Sequence, residues 1–135
     1  MHELVLVNGI LEAVRRFARE RNGRVKSFKV SVGEVAGFNI ELIRELLERM
    51  RDDAGLGDAS IIVEIEDGMI RCNACNSLWG LRDAIAGLDD IDREMIHFIP
   101  ELVSTYTRCP KCGGRDLKIV SGRGIKVDYV ELIHL

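Results

Sequence analysis

The first hydrophobic pattern in the chain has the period of an α-helix. From Leu4 to about Arg21, apolar residues recur at steps of three and four, which places them on one side of an amphipathic helix. This stripe is formed by Leu4, Val7, Leu11, Val14 and Ala18. Asn22-Gly23 predicts its end, because both residues accept the left-handed conformation common after a helix.

The pattern then changes to the period of a strand and back to that of a helix. Phe28, Val30 and Val32 alternate with Lys29 and Ser31, which predicts a half-buried β-strand. Asn39 is a predicted N-cap for a second amphipathic helix, because its side chain can accept a hydrogen bond from a free amide of the first turn. The apolar positions of that helix are Ile40, Ile43, Leu47 and Met50.

Two further strands complete the predicted fold. Ile61, Val63 and Ile65 predict a second strand, and alternation beginning at Ile125 predicts a third strand at the end of the chain. The sequence thus predicts an α+β fold, with two helices packed on a three-stranded sheet and an inserted zinc-ribbon-like module containing four cysteines. We expect residues 1–68 plus 123–135 to form one domain and residues 69–122 to form the inserted zinc-binding domain. The module's predicted apolar core contains Leu78, Trp79, Leu81 and Ile85.

Composition narrows the classes of function. The 135 residues contain 19 Lys and Arg against 22 Asp and Glu, for a net charge of −3. This balance disfavours a nucleic-acid partner, because binding to phosphates depends on an excess of positive charge. No basic region precedes an apolar stretch at the N-terminus and no window is long enough to cross a bilayer, so we expect no membrane association and a cytoplasmic location.

The four cysteines form two C-x-x-C units, Cys72-Asn73-Ala74-Cys75 and Cys109-Pro110-Lys111-Cys112. Each unit can direct two thiolates from one tight turn toward a shared tetrahedral ion, and Gly113-Gly114 supports such a turn in the second unit. We predict one structural zinc bound by all four cysteines. Two alternatives stay open, a redox-active C-x-x-C and a rubredoxin-type iron site. Four thiolates close the coordination shell, so this metal is not expected to be catalytic.

The N-terminus offers a second kind of metal site. Methionine is normally removed only before a small residue, so Met1 should keep its free amine in front of His2. That amine, the following amide nitrogens and the His2 imidazole can form chelate rings around a metal that prefers square-planar nitrogen, as Ni(II) and Cu(II) do. Spacing alone also permits the ordinary alternative of an exposed histidine near a frayed terminus.

These features together resemble the HypA family of hydrogenase nickel metallochaperones. The resemblance covers essentially the whole chain and rests on Met1-His2-Glu3, the leading helix, Gly33-Glu34 after the first strand, and two C-x-x-C units before a final strand. It implies nickel bound through His2 with backbone nitrogen of His2 and Glu3, and zinc bound by Cys72, Cys75, Cys109 and Cys112. It also implies a non-enzymatic carrier that acts with a HypB-type nucleotide-hydrolysing nickel insertion protein on the large subunit of [NiFe] hydrogenase; some members serve urease.

The long segment between the C-x-x-C units resembles the archaeal form of the family. In that form a histidine in a matching Ile-His-Phe-Ile-Pro context joins the nickel ligands when the partner is bound, which implies His97 as a second nickel candidate. The alternative is that His97 packs beside Phe98 and Ile99 as a loop anchor.

Glu3 could orient the His2 imidazole or favour the positive end of the first helix. His134 is predicted to be structural.

Two other functions remain open from the sequence. The C-x-x-C pairs alone would suit a zinc-ribbon nucleic-acid-binding or transcription module, although the acidic balance disfavours it. They would also suit a thiol redox enzyme whose cysteines cycle between oxidation states without a metal. The sequence leaves open whether the protein is a monomer or a dimer.

Overall fold

The structure is a computed structural model that describes residues 3–134. In chain order its helices are α1 (Glu3–Glu20), α2 (Ile40–Met50), α3 (Leu81–Ile85), α4 (Asp90–Phe98) and α5 (Val103–Tyr106). Its strands are β1 (Gly23–Gly33), β2 (Ser60–Glu66), β3 (Met69–Cys72), β4 (Leu78–Gly80), β5 (Leu117–Ser121) and β6 (Ile125–His134). Short 3-10 turns lie at Glu34–Ala36 and Pro100–Leu102. These elements form two compact units, the first from residues up to 32, 38–64 and from 125 onward, and the second from residues 33–37 and 65–124.

The first unit is the predicted arrangement of two helices and a three-stranded sheet. Its strand order is β2-β1-β6, so the last strand of the chain pairs with the first. β1 and β6 are antiparallel, and two irregularities interrupt their register near Val25 and Lys29. Phe28 and Val30 of β1 are fully buried against apolar residues of α1 and α2. Burial of both helical stripes on one sheet explains why the two hydrophobic periods in the sequence predicted this fold.

The beginning of α2 is fixed by two side chains. The Asn39 side chain accepts a hydrogen bond from the Leu42 amide at 3.1 Å, which confirms the predicted N-cap. The Asn39 amide in turn donates to the carboxylate of Glu3 at 3.2 Å. Glu3 is only 6% exposed, and its carboxylate therefore joins the first residue of α1 to the start of α2. The sequence did not indicate this contact.

The second unit has its own sheet and its own core. The sheet order is β4-β3-β5, with antiparallel pairing of β3 to both neighbours. Its core is a separate cluster that includes Ile70, Leu81, Ile96, Val103 and Ile119. Leu81 and Ile85 are buried as predicted, and Trp79 packs partly buried against this core.

Three apolar residues do not lie where the sequence pattern suggested, and the first is Leu4, which was predicted on the apolar stripe of α1 but is 52% exposed. Leu78 was predicted to belong to the module's core, but it is 59% exposed. Successive residues of a strand point to opposite faces, so Leu78 and Trp79 of β4 cannot both face inward. Ile65 was predicted, with Ile61 and Val63, as an apolar position of the second strand, and it too is exposed. Within residues 3–134, no helix combines the length and the apolar character that crossing a bilayer requires.

The capping contact gives a stability prediction. Replacing Asn39 by alanine removes the acceptor for the Leu42 amide, and the opening free energy of the α2 backbone should fall by about 1 kcal/mol. Amide hydrogen exchange, read residue by residue, measures this change. Asn8→Ala, at an exposed position inside α1, is the matched control and should leave α2 protection unchanged. Equal exchange of the Leu42 amide in wild type and Asn39→Ala would contradict the capping role.

Candidate metal centre

The four cysteine sulfurs converge at one point of the second unit. Their sulfur atoms all lie within 4.8 Å of one another. The Sγ atoms of Cys72 and Cys112 are 3.6 Å apart, as are those of Cys75 and Cys109. A tetrahedral ion with Zn–S bonds of about 2.3 Å would set its sulfurs about 3.8 Å apart. The thiol positions therefore fit a single tetrahedral metal ion.

The first C-x-x-C turn begins where β3 ends. The Cys72 amide donates to the Ser77 carbonyl at 2.9 Å, and the Asn76 amide returns to the Cys72 carbonyl at 2.8 Å. This reversal is possible because Asn76 adopts a φ of 63°, a left-handed conformation that asparagine tolerates better than most residues. The Ser77 hydroxyl lies 3.1 Å from Cys75 Sγ. This contact was not predicted, although a serine two residues after the cysteine was visible in the sequence.

The second C-x-x-C turn directs backbone amides at its sulfurs. The amides of Lys111 and Cys112 each lie 3.4 Å from Cys109 Sγ, and the Gly114 amide lies 3.4 Å from Cys112 Sγ. Gly113 has a φ of 74°, which closes the turn in a conformation that favours glycine. The predicted role of the glycine pair is confirmed. Such amides stabilise negative charge on sulfur, as a metal-binding thiolate requires.

Neighbouring groups shift the pKa values of the cysteine thiols in different directions. Hydrogen bonding from the Ser77 side chain and backbone lowers the pKa of exposed Cys75 to about 6. Burial raises the pKa of Cys109, but the amides of Cys112 and Lys111 outweigh it and leave that pKa lowered. The Gly114 amide lowers the pKa of Cys112, yet the neighbouring Cys72 thiol, burial and the other thiols raise it to about 11. In the absence of a cation, the crowded sulfurs therefore share protons, because four adjacent negative charges would repel one another.

The same geometry bears on the redox alternative. A disulfide requires sulfurs about 2.05 Å apart, and all four cysteines are free. The 3.6 Å pairs each join one C-x-x-C unit to the other, whereas a redox-active C-x-x-C would bring together its own two sulfurs. The four cysteines are thus positioned as a metal site rather than as two redox pairs, and tetrathiolate geometry accommodates iron as well as zinc.

His97 lies in the last turn of α4 and contacts the 33–37 segment of the same unit. Its Nδ1 is 2.6 Å from the Val35 carbonyl oxygen. A carbonyl only accepts hydrogen bonds, so Nδ1 carries a proton in this contact, and in the neutral ring Nε2 is the acceptor. A side chain on Gly37 would begin 3.1 Å from the His97 ring, and Gly37 has a φ of 69°. His97 is therefore a helical residue held by backbone, whereas Phe98 and Ile99 are exposed rather than packed beside it.

The remaining candidate ligands are distributed differently. Met1 and His2 lie outside the described residues. Glu3 begins α1 in the first unit, and its carboxylate accepts a hydrogen bond from the Asn39 amide. His134 is exposed at the end of β6. Among residues 3–134, the cysteines form the one cluster of potential ligands that is already assembled around a point.

Comparison with protein families identifies the chain's relatives. Residues 1–132 match the family model described as "Hydrogenase/urease nickel incorporation, metallochaperone, hypA". Curated relatives named hydrogenase maturation factor HypA include one from Pyrococcus furiosus, 36% identical over 131 residues that cover 96% of this chain and 94% of the relative. Another, from Methanopyrus kandleri, is 32% identical over 134 residues that cover 98% and 93% of the two chains.

Solved structures agree with the fold. The solution structure titled as the Ni metallochaperone HypA from Helicobacter pylori has a TM-score of 0.61 at 18% identity and covers 100% of both chains. A second solution structure, titled HypA protein, has a TM-score of 0.63 at 18% identity and covers 98% of this chain and 97% of the other. The match of the family model to nearly the whole sequence, together with the archaeal relatives above 30% identity, means that this chain belongs to the HypA family, a family of metallochaperones rather than of enzymes.

Proposed function

We propose that this protein carries Ni(II) at its N-terminus for the maturation of [NiFe] hydrogenase, while its four cysteines hold a structural zinc. The observation that carries the proposal is the family match over residues 1–132, because that span contains both Met1-His2-Glu3 and the two C-x-x-C units. The acidic net charge and the family match leave no comparable support for a nucleic-acid-binding role.

The four-cysteine site suits a structural zinc better than a catalytic metal ion. Four sulfurs close a tetrahedral shell, so no position remains for a substrate, and the ion would act by joining the β3 end to the segment before β5. The backbone amides around Cys109 and Cys112 would hold the sulfurs as thiolates. Structural zinc contributes about 10–16 kcal/mol of apparent binding free energy, which is large relative to a small core.

Nickel as cargo requires a different set of donors. The amine of Met1, the imidazole and amide of His2 and the amide of Glu3 would form adjoining chelate rings, a nitrogen set that Ni(II) accepts in square-planar geometry. The contact of the Glu3 carboxylate with Asn39 supports this assignment, because it fixes the residue that would supply the last nitrogen. It also means that Glu3 would contribute its backbone rather than its carboxylate.

His97 is the further nickel candidate. The Val35 carbonyl fixes the proton on Nδ1, which leaves Nε2 with a lone pair that a metal could share. We propose that it joins the nickel ligands when the partner binds. The partner would be a HypB-type nucleotide-hydrolysing nickel insertion protein, and the recipient would be the hydrogenase large subunit, both in the cytoplasm. In this proposal residues 1–68 plus 123–135 would form the domain with the N-terminal nickel site, and residues 69–122, which include His97, would form the zinc-binding domain.

The zinc assignment predicts one zinc per chain. Cys112→Ser should lose that zinc, because one of four tetrahedral ligands is gone, and the second unit should lose its tertiary packing. Elemental analysis measures the metal, and fluorescence of Trp79, the single tryptophan, measures the packing because β4 pairs with β3 directly before Cys72.

The matched control for the zinc prediction lies in the first turn. Ala74→Ser adds a hydroxyl at an exposed position between Cys72 and Cys75 without removing a ligand, and it should keep one zinc per chain. Iron in place of zinc, recognised by elemental analysis of protein grown with both metals, would overturn the assignment. So would a metal-free wild type that keeps its Trp79 spectrum.

The nickel assignment predicts a strong dependence on His2. His2→Ala should weaken Ni(II) binding by about 100-fold or more, because a chelating imidazole is lost. Calorimetric titration of zinc-loaded protein with an untagged N-terminus measures the affinity. His134→Ala removes an exposed histidine at the far end of the first unit's sheet and should bind nickel as the wild type does. Equal affinity of His2→Ala and wild type would refute the N-terminal site.

Acid should release nickel. The Met1 amine and the His2 imidazole must lose their protons to bind, so nickel affinity should fall progressively as the pH drops through the amine pKa of about 8 and the histidine pKa of about 6.5. Titrations at about pH 7.5 and about pH 5.5 test this, and a decrease of about tenfold or more is expected. An affinity that does not change between these pH values would exclude imidazole and amine as ligands.

A further inference from the structure

Helix α4 carries apolar side chains on its outward face as well as on its inward face. Ile96 is fully buried in the core of the second unit. Ile91 is nevertheless 74% exposed, Phe98 is 83% exposed and Met95 is 37% exposed. These three residues form the α4 outer stripe. Their exposure has a free-energy cost that this fold does not recover, because apolar surface stays in contact with water.

The α4 outer stripe has the spacing of a helical contact surface. Ile91, Met95 and Phe98 occupy positions i, i+4 and i+7, so at 3.6 residues per turn they lie within an arc of roughly 60°. Ile96 lies on the opposite side of the helix. Single exposed apolar residues are common on protein surfaces, but a continuous stripe of three large ones marks a site of interaction.

The residues around the stripe are predominantly acidic. Between residues 89 and 101 the carboxylates are Asp89, Asp90, Asp92, Glu94 and Glu101, against one arginine, Arg93, and one histidine, His97. Asp90 pairs with Arg93 at 2.7 Å, and Glu101 pairs with Arg123 at 2.8 Å. No ion pair involves exposed Glu94 in the described part of the chain, and at about 100° per residue it borders the stripe on the side of Phe98. A complementary surface would therefore be apolar and basic.

The size of the surface also limits what can cover it. Nine residues make a helix about 13–14 Å long, and one face of it can bury only a few hundred Å², below the roughly 800 Å² per partner of a stable interface. A second copy of this chain would place α4 against α4 and bring like charges together around Glu94, which is unfavourable. A different and transient partner fits both constraints.

We propose that the α4 outer stripe docks a basic amphipathic helix presented by a partner protein. The apolar side of that helix would pack on Ile91, Met95 and Phe98, and its lysines or arginines would face Asp90 and Glu94. The proposal concerns a surface of the second unit and depends on neither of the metal assignments.

The test uses the full-length, zinc-loaded protein and synthetic peptides. The probe is a peptide of about 14 residues with leucine at i, i+4 and i+7 on one helical face and lysine elsewhere. A second peptide has the same composition with the leucines scattered around the helix. Chemical shifts of the protein's amides locate binding, and titration gives the affinity. The amphipathic peptide should perturb α4 amides, and the scattered peptide should bind about tenfold or more weakly.

Variants test whether peptide binding depends on the α4 outer stripe or only on the attraction of a basic peptide to an acidic protein. Phe98→Ser should weaken binding of the amphipathic peptide by about tenfold or more, and Glu94→Lys should weaken it and reduce its salt dependence. Because both side chains are exposed, the fold should persist, which circular dichroism and zinc content verify. Val5→Ser, at an exposed apolar position of α1, is the matched control and should bind like the wild type.

Several results would overturn the proposal. Equal binding of both peptides would mean that only charge attracts them, and shift changes away from α4 would assign binding to another surface. Unchanged affinity in Phe98→Ser would exclude the stripe. Concentration-dependent self-association of the wild type, abolished by Phe98→Ser in sedimentation, would instead identify the occupant as a second copy of this chain.

Discussion

The convergence of four sulfur atoms is the constraint on which the second unit depends. Sulfurs that lie within 4.8 Å of one another cannot all be negatively charged without a cation, and hydrogen-bonding amides aimed at Cys109 and Cys112 favour the charged form. The protein thus builds a site whose electrostatic balance is complete only with a metal. The residues between the two C-x-x-C units are organised as α3, α4 and α5 around Ile96 and Val103, and the sheet β4-β3-β5 connects that core to the metal site.

The ligand atoms distinguish a permanently bound metal ion from a transferable one. Four thiolates enclose a tetrahedral ion and leave no open position, so such an ion exchanges poorly and serves the fold. A nitrogen set at a chain terminus has the opposite character, because protonation of an amine or imidazole opens it. In the proposed function the carboxylate of Glu3 supports the nitrogen site. It binds the amide of Asn39 and is buried, so the first residue of α1 is fixed while the nitrogen donors come from the backbone and from His2.

The sequence predicted the elements whose patterns are local and periodic. Both helices, all three strands of the first sheet and the Asn39 cap were predicted because each depends on spacing along a few residues. The C-x-x-C spacing predicted the sulfur cluster for the same reason. What the sequence did not reveal depends on tertiary contacts. The hydrogen bond from Asn39 to Glu3 spans 36 positions, and the contact of His97 with the Val35 carbonyl spans 62. Neither leaves a periodic signal, and Leu78 was misplaced because a three-residue strand is too short to show which face is buried.

Helix α4 shows how one short element can serve three separate purposes. Successive residues of a helix are rotated by about 100°, so Ile96, His97 and Phe98 point in three directions. Ile96 fills the core, His97 hydrogen-bonds Val35, and Phe98 lies in solvent. A partner bound to the α4 outer stripe would therefore contact a residue adjacent to His97 without displacing its ring from Val35. A partner that instead rotated this turn of α4 would move Phe98 and His97 together, because the two residues share its backbone. If His97 is a nickel ligand as proposed, such a rotation would let the partner alter the position of its Nε2 without contacting the ring itself.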